Sequence, residues 1–388
     1  LIERLHLIDC TRCKNECAEA CPVYRHYGTY HPQQLARLFL EGREGAGRDH
    51  KLVWYCVTCR ACNEACPFKV DFDELIREMR KGRSDFEPAF EGLIHSFQRM
   101  QAELPGGGEG GAKKSELASG AVDARSRLDW LDGSLKVDPR GDTVLFIGCL
   151  PLFERVFKDT CDASPLDTAR AAVRLLNALG IAPRLLEDER CCGRDLYDIG
   201  ERASFRKLAE HNVAALRKAG AKRVITICPE CTYTFRRTYS GELGELPFEV
   251  EHITETIEPR IGELRFSKET DRFAFHDPCY LARHLGVTEP PRKLLRALTA
   301  EPLIPLEREG KGCACCGAGS WVNHGQHTRA AARERILGAH RSGAQVLVTA
   351  CPKCAMLFRE ANPGCSWKMA PIKVRDLITL AASRLEKK

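Results

Sequence analysis

The 388-residue chain is short of aromatics, at 7%, and has no uninterrupted apolar run of the roughly 18 residues that a membrane-spanning helix needs. The few rings argue against a stacked flavin or nicotinamide, which would then belong to a partner subunit. No secretory leader is legible. Cysteine is the excess: 21 residues. An odd number, in a chain neither small nor visibly secreted, argues against a disulfide scaffold. Sixteen of the 21 sit in CxxC, CxxxC or adjacent-pair contexts, which favour metal or iron–sulfur ligation. The formal charge of +6 counts every cysteine as neutral, whereas ligating thiols are deprotonated. The basic balance is therefore no argument for nucleic acid, and no nucleic-acid partner is expected.

Residues 1–99 carry two cysteine runs. The first is Cys10-x2-Cys13-x3-Cys17-x3-Cys21-Pro22, and the second is Cys56-x2-Cys59-x2-Cys62-x3-Cys66-Pro67. The second matches the bacterial ferredoxin run; the first has one extra residue between its second and third cysteines. Three close thiolates can hold three irons of a cubane, while the fourth, on the next turn, reaches the other cluster. This assigns Cys10, Cys13, Cys17 and Cys66 to one [4Fe–4S] cubane, and Cys56, Cys59, Cys62 and Cys21 to another. A pair of zinc ribbons would leave the Cys-Pro of each run unexplained. Helices are expected over Gln33–Gly42 and Asp71–Lys81, the latter with an acidic start and a basic end that suit the helix dipole. The 34 residues between the runs resemble the helical ferredoxin modules of succinate dehydrogenase iron–sulfur subunits.

A Gly-rich linker is expected over 100–140, with Pro105–Gly111 flexible by composition and the rest a tether or surface-draped segment. From there the pattern is α/β. Strands are expected at 143–147, 223–227, 272–275 and 345–349, with helices at 166–179, 201–219, 290–299 and 328–341. The order repeats, giving domains 141–266 and 267–388. Each repeat holds five cysteines: Cys149, Cys191, Cys192, Cys228 and Cys231, then Cys279, Cys315, Cys316, Cys351 and Cys354. The spacing from the pair to the CxxC is 35 residues in one copy and 34 in the other. Five thiols are one more than a tetrahedral zinc can use. In βα units the sheets should be parallel, with the cysteines gathered beyond the carboxyl ends of the strands.

The pattern Cys…Cys-Cys-Gly…Cys-x2-Cys, present twice, resembles the CCG-domain signature. That signature recurs in the catalytic subunit of heterodisulfide reductase and in the iron–sulfur subunits of glycolate oxidase and anaerobic glycerol-3-phosphate dehydrogenase. The resemblance implies an α-helical ferredoxin-like domain followed by two duplicated, Rossmann-like, parallel-sheet α/β domains. It implies two noncubane [4Fe–4S] clusters, one on each five-cysteine set, beside the two cubanes. The implied function is an oxidoreductase subunit that passes electrons from cubanes to noncubane clusters, with disulfide/thiol chemistry between the latter. A pure relay between a flavoprotein dehydrogenase and a quinone or ferredoxin stands as the alternative. The implied partners are flavoprotein or iron–sulfur subunits of a larger complex, on the cytoplasmic side, with room for a membrane partner. Such clusters span potentials of about −700 to +450 mV, so the sequence sets no direction of flow. His276, in His276-Asp277-Pro278-Cys279, is the candidate catalytic residue, as a proton source or hydrogen-bond donor beside the second cluster; the other reading is a structural histidine. Arg283 and His284 could meet an anionic substrate or cap a helix. Cys313 should pack against the second cluster, and Cys161 and Cys365 are expected to be passive.

Overall fold

A computed structural model describes residues 6–28, 30–41, 51–82, 89–104, 127–158, 164–321, 326–362 and 372–386. The Gly-rich run at 105–111, Cys161 and Cys365 lie outside the described residues.

The N-terminal region is helical. Pro32–Leu40 and Phe72–Arg80 form amphipathic helices, the first opened by a proline whose missing N–H costs a helix start nothing. Each cysteine run ends on a short helix, Glu16–Ala20 or Ala61–Ala65, which delivers its last cysteine at the C-terminal cap.

Two three-stranded parallel sheets follow. β1 (Thr143–Phe146), β2 (Arg223–Thr226) and β3 (Glu249–His252) form one; β4 (Phe273–His276), β5 (Val346–Thr349) and β6 (Lys373–Asp376) form the other. Their last residues align in matching rows, Phe146–Thr226–His252 and His276–Thr349–Asp376. On the far side of β1, Val144 makes a parallel bridge to Arg184; Ala274 of β4 does the same with Ile304. The chain therefore leaves β1 to one side and returns as β2 on the other, so the connection reverses between β1 and β2, and likewise between β4 and β5. In open parallel sheets the crevice at such a reversal, beyond the carboxyl ends, is where ligands sit. Cys149 and Cys228 follow β1 and β2 there, and Cys279 and Cys351 follow β4 and β5.

β3 and β6 are strands that the apolar pattern does not announce. Glu249-Val-Glu-His and Lys373-Val-Arg-Asp bury alternate residues only, as sheet-edge strands do. His252 and Asp376 then cap the helices Ile253–Ile257 and Leu377–Arg384.

The segment from 127 to 140 is not a loose tether. Arg127, Trp130 and Leu135 are buried, and Arg127 Nη2 donates to Glu189 at 2.6 Å and to the Gly148 carbonyl at 2.7 Å. Helix Ala89–Glu103 packs on helix Arg202–Lys218 of the first α/β unit. No helix among the described residues is long and apolar enough to cross a membrane.

Candidate metal centres

The cysteines of the N-terminal runs fall into two groups. Burial first, then the sulfurs of Cys13, Cys66 and Cys17, push Cys10 up to about 12. Burial, then Cys21, Cys56 and Cys59, push Cys62 up. Cys66 thus lies near Cys10 and Cys17 of the first run, and Cys21 near Cys56, Cys59 and Cys62 of the second. Gln33 Nε2 donates to Cys13 Sγ at 3.0 Å, and the Thr58 amide to Cys56 Sγ at 3.4 Å.

In each α/β repeat the five sulfurs converge at the sheet's carboxyl edge. Cys149 and Cys191 sulfurs are 2.7 Å apart, and those of Cys316 and Cys354 are 3.1 Å apart. Contacts Cys191–Cys192, Cys192–Cys231 and Cys228–Cys231 complete the first set. Contacts Cys279–Cys315, Cys315–Cys316 and Cys351–Cys354 complete the second. The glycine after each pair has positive φ, +77° at Gly193 and +94° at Gly317, where a side chain would be strained. That turn aims the amides of Gly193 and Gly317 back at Cys191 and Cys315 sulfurs, at 3.4 and 3.3 Å. All five cysteines of the second set are buried, whereas Cys149 and Cys228 of the first are partly exposed.

The sets also touch one another. Cys228 meets Cys351 across the two repeats. Cys59 of the helical module meets Cys315, a contact that draws its thiol down to about 6. Between the repeats, Lys353 Nζ donates to Glu230 at 2.7 Å and to Asp195 at 2.8 Å, all three buried. The helical module is locked on by Asp198, which is fully buried. Its carboxylate accepts from Arg77 Nε at 2.7 Å, Tyr280 hydroxyl at 2.9 Å, Thr58 hydroxyl at 3.2 Å and Arg194 Nε at 2.9 Å. Gln98 bridges Cys191 Sγ at 3.3 Å and Asp195 at 2.8 Å. None of these polar links is legible in the sequence except the odd charge inside each Cys-Pro-x-Cys turn.

His276 ends β4, fully buried, edge-on to Phe358 at 4.7 Å. Its Nδ1 accepts from Arg335 Nε at 3.2 Å, which puts the ring proton on Nε2. A ring nitrogen, Cys316 and Cys354 lie within 4.8 Å of one another. Arg283 is buried and serves a helix end: it donates to the carbonyl of Cys313, the C-cap of the one-turn 3-10 helix Gly310–Gly312, at 2.8 and 3.0 Å, and to the Lys311 carbonyl at 3.3 Å. His284 stacks on Tyr280 at 4.1 Å and bonds the Thr58 carbonyl, within the module interface. Cys313 is buried among Cys279, Cys315 and Cys59.

These donor sets fit iron–sulfur clusters. Burial first, and then the neighbouring sulfurs, push thiols such as Cys10, Cys21 and Cys62 up, so these resist ionisation. Bound metal removes that cost by taking the thiolates as ligands. No disulfide links any described cysteine.

Comparison with known proteins agrees. A profile described as a cysteine-rich (CCG) domain matches residues 145–236 and 273–359, and one described as a 4Fe-4S dicluster domain matches 6–70. A subunit of the dihydromethanophenazine:CoB–CoM heterodisulfide reductase of Methanosarcina acetivorans is 30% identical over 99% of this chain and 95% of its own length. EtfAB:quinone oxidoreductase of Syntrophomonas wolfei is 26% identical over 79% of this chain and 43% of its own. A crystal structure of a hypothetical protein from Helicobacter pylori shares the fold, with a TM-score of 0.56 at 12% identity, over 92% of this chain and 68% of that one. With a helical dicluster region, two complete CCG repeats and an end-to-end match, the chain belongs to the CCG-domain iron–sulfur family that includes this heterodisulfide reductase polypeptide.

Proposed function

We propose that this chain is a heterodisulfide-reductase-like oxidoreductase subunit with two cubane and two noncubane [4Fe–4S] clusters, on Rossmann-like α/β domains, acting on a disulfide. When bound, the clusters supply one-electron transfer from the helical module to the paired sites. The reaction class is R–S–S–R′ + 2 e⁻ + 2 H⁺ → R–SH + R′–SH. The observation that carries the reading is the completeness of both five-cysteine sets, which adjoin through Cys228 and Cys351. A chain needing only a wire has no use for two full sets.

One cubane takes Cys10, Cys13, Cys17 and Cys66, the other Cys21, Cys56, Cys59 and Cys62, and each five-cysteine set takes a noncubane cluster. The contact of Cys59 with Cys315 supports entry of electrons at the second repeat. The partial exposure of Cys149 and Cys228 supports access of the substrate from the first. His276 holds a proton beside Cys316 and Cys354. Ile8 and Phe68, 51% and 39% exposed, flank Cys10 and Cys66 in sequence and suit the docking of a flavoprotein or iron–sulfur donor protein at the outer cubane. A cytoplasmic setting, with any membrane contact made through a partner, accords with this arrangement.

A relative named as an EtfAB:quinone oxidoreductase favours a second reading, a relay between a flavoprotein and a quinone. Iron and sulfide analysis with electron paramagnetic resonance (EPR) tests the cluster content: about sixteen irons per chain are expected. About eight would refute the noncubane pair. Disulfide turnover with an artificial electron donor separates the two readings, since a relay gives none.

A further inference from the structure

A cavity of about 180 Å³ lies behind the loop that carries Cys315, lined by Arg308, Arg335 and Arg341 with Glu307, Glu334 and Ala314. Arg335 is only 6% exposed, and its Nη2 has no hydrogen-bond partner among the described residues. Buried donors are normally satisfied, and an orphaned guanidinium N–H costs free energy. Nη2 is shielded from solvent, so an acceptor reaches it only when the side chain turns toward the cavity that the residue lines.

The charge around it says which kind. Of the two carboxylates lining the cavity, Glu334 is already held by Arg25 Nη2 and by His26 Nε2, both at 3.0 Å. Glu307 is exposed. Arg308 makes no hydrogen bond or ion pair with a described residue, and burial, then the nearby Arg25, push its pKa below the usual arginine range. Three guanidiniums thus face one uncommitted carboxylate. Guanidinium groups bind carboxylate, sulfonate and phosphate oxygens with paired N–H donors.

We propose that this cavity binds a small oxoanion against Arg335, with Arg308 and Arg341 completing the site, and that its occupancy is felt at the second five-cysteine set through His276. The path is short: Arg335 Nε donates to His276 Nδ1 at 3.2 Å, and a His276 ring nitrogen, Cys316 and Cys354 lie within 4.8 Å of one another. An anion in the cavity offsets the positive charge of Arg335. The reduced state of the second site, being more negative, then loses a favourable neighbour, and its midpoint potential falls. This second half rests on the ligand assignment above; the binding site itself does not.

Calorimetry of the holoprotein with inorganic phosphate, against chloride at matched ionic strength, tests the site. Saturable binding of one phosphate per chain is expected. An Arg308→Ala/Arg341→Ala double variant, which leaves the buried Arg335 in place, should bind at least about tenfold more weakly. Absence of saturable heat, or heat unchanged in the double variant, would overturn the proposal. An EPR-monitored redox titration tests the coupling: phosphate at a concentration that fills the wild-type site but not the weakened one should lower the midpoint of the second site in the wild type and much less in the double variant. An unmoved midpoint overturns the link through His276. If the second site holds no cluster, its EPR signal is missing while the phosphate heat persists, so the two failures are told apart.

Discussion

Glu230 and Lys353 occupy the same place in the two repeats, the third residue of each Cys-Pro-x-Cys turn, and they pair across the repeats at 2.7 Å. Duplication alone would put like residues opposite one another. Here the copies have diverged into an acid and a base, and Asp195 adds a second carboxylate to the same lysine at 2.8 Å. The ion triad ties the first five-cysteine set to the second beside the Cys228–Cys351 contact.

Removing the cation should be costly. Lys353→Met leaves Asp195 and Glu230 as buried, unpaired carboxylates, and breaking a buried pair this way costs about 3–5 kcal/mol. Glu230→Gln keeps a hydrogen-bond acceptor and leaves Lys353 matched to Asp195, so it should cost less than half as much. Chemical denaturation of the holoprotein, followed by cluster absorbance, checks the order. Equal losses would mean that the triad contributes packing rather than charge balance.

The Asp198 junction predicts a different pattern. Asp198→Ala leaves Arg194 without a carboxylate in a dry interface, while Arg77 keeps Asp73 at 2.7 Å and Glu74 at 2.9 Å, and should cost about 3 kcal/mol. Tyr280→Phe removes one hydroxyl donor from the same carboxylate and should cost about 1 kcal/mol. Limited proteolysis of the holoprotein reads the effect: the Asp198 variant should release the helical module early, with the α/β units intact. Similar behaviour of both variants would argue that the aromatic stack of Tyr280 and His284, not the carboxylate, holds the module.

Much of this was legible in the residues. The apolar runs Val144–Ile147 and Val346–Thr349 read as buried strands, and each aims a cysteine at the sheet edge because the next residues turn. The helices over Pro165–Ala178 and Arg202–Lys218 follow their apolar spacing closely. What the pattern hid had physical reasons. β3 and β6 each bury alternate residues, so half their sequence looks like loop. Gln98 and Gln101 fall on either side of the expected boundary between the helical module and the linker, on a helix not expected from the sequence, yet they serve Cys191 of the first repeat. Polar contacts over such separations leave no periodic trace.

Crossed ligation makes a prediction that paired ligation does not. With Cys66 beside Cys10, Cys13 and Cys17, Cys66→Ala should remove the same cluster as Cys13→Ala, although the two lie in different runs. Cys21→Ala should instead remove the cluster of Cys56, Cys59 and Cys62. Each variant is expected to lose about four irons per chain, with EPR showing which signal is gone. Loss of the same signal from Cys21→Ala and Cys13→Ala would show that each run keeps its own cluster.

Gly200 sets how closely the helical module can seat. It has φ of +90°, and a Cβ there would lie 2.7 Å from the backbone N and Cα of Lys81, at the end of helix Phe72–Arg80. That helix carries Arg80, whose guanidinium donates to the Cys56 carbonyl at 2.6 Å and to the Asp198 carbonyl at 3.1 Å. A methyl at 200 therefore pushes on the element that holds the second cysteine run against the first repeat, and it also strains the backbone. Gly200→Ala should cost at least about 2 kcal/mol. At Gly262 a Cβ would meet nothing within 4 Å, so Gly262→Ala should stay within about 0.5 kcal/mol. Because Cys59 touches Cys315 across this seam, the Gly200 variant should also slow electron passage from the helical module to the paired sites. Stopped-flow reduction, read by cluster absorbance, measures that rate. A variant that unfolds more easily but passes electrons at the wild-type rate would show that the seam stabilises the chain without setting the path.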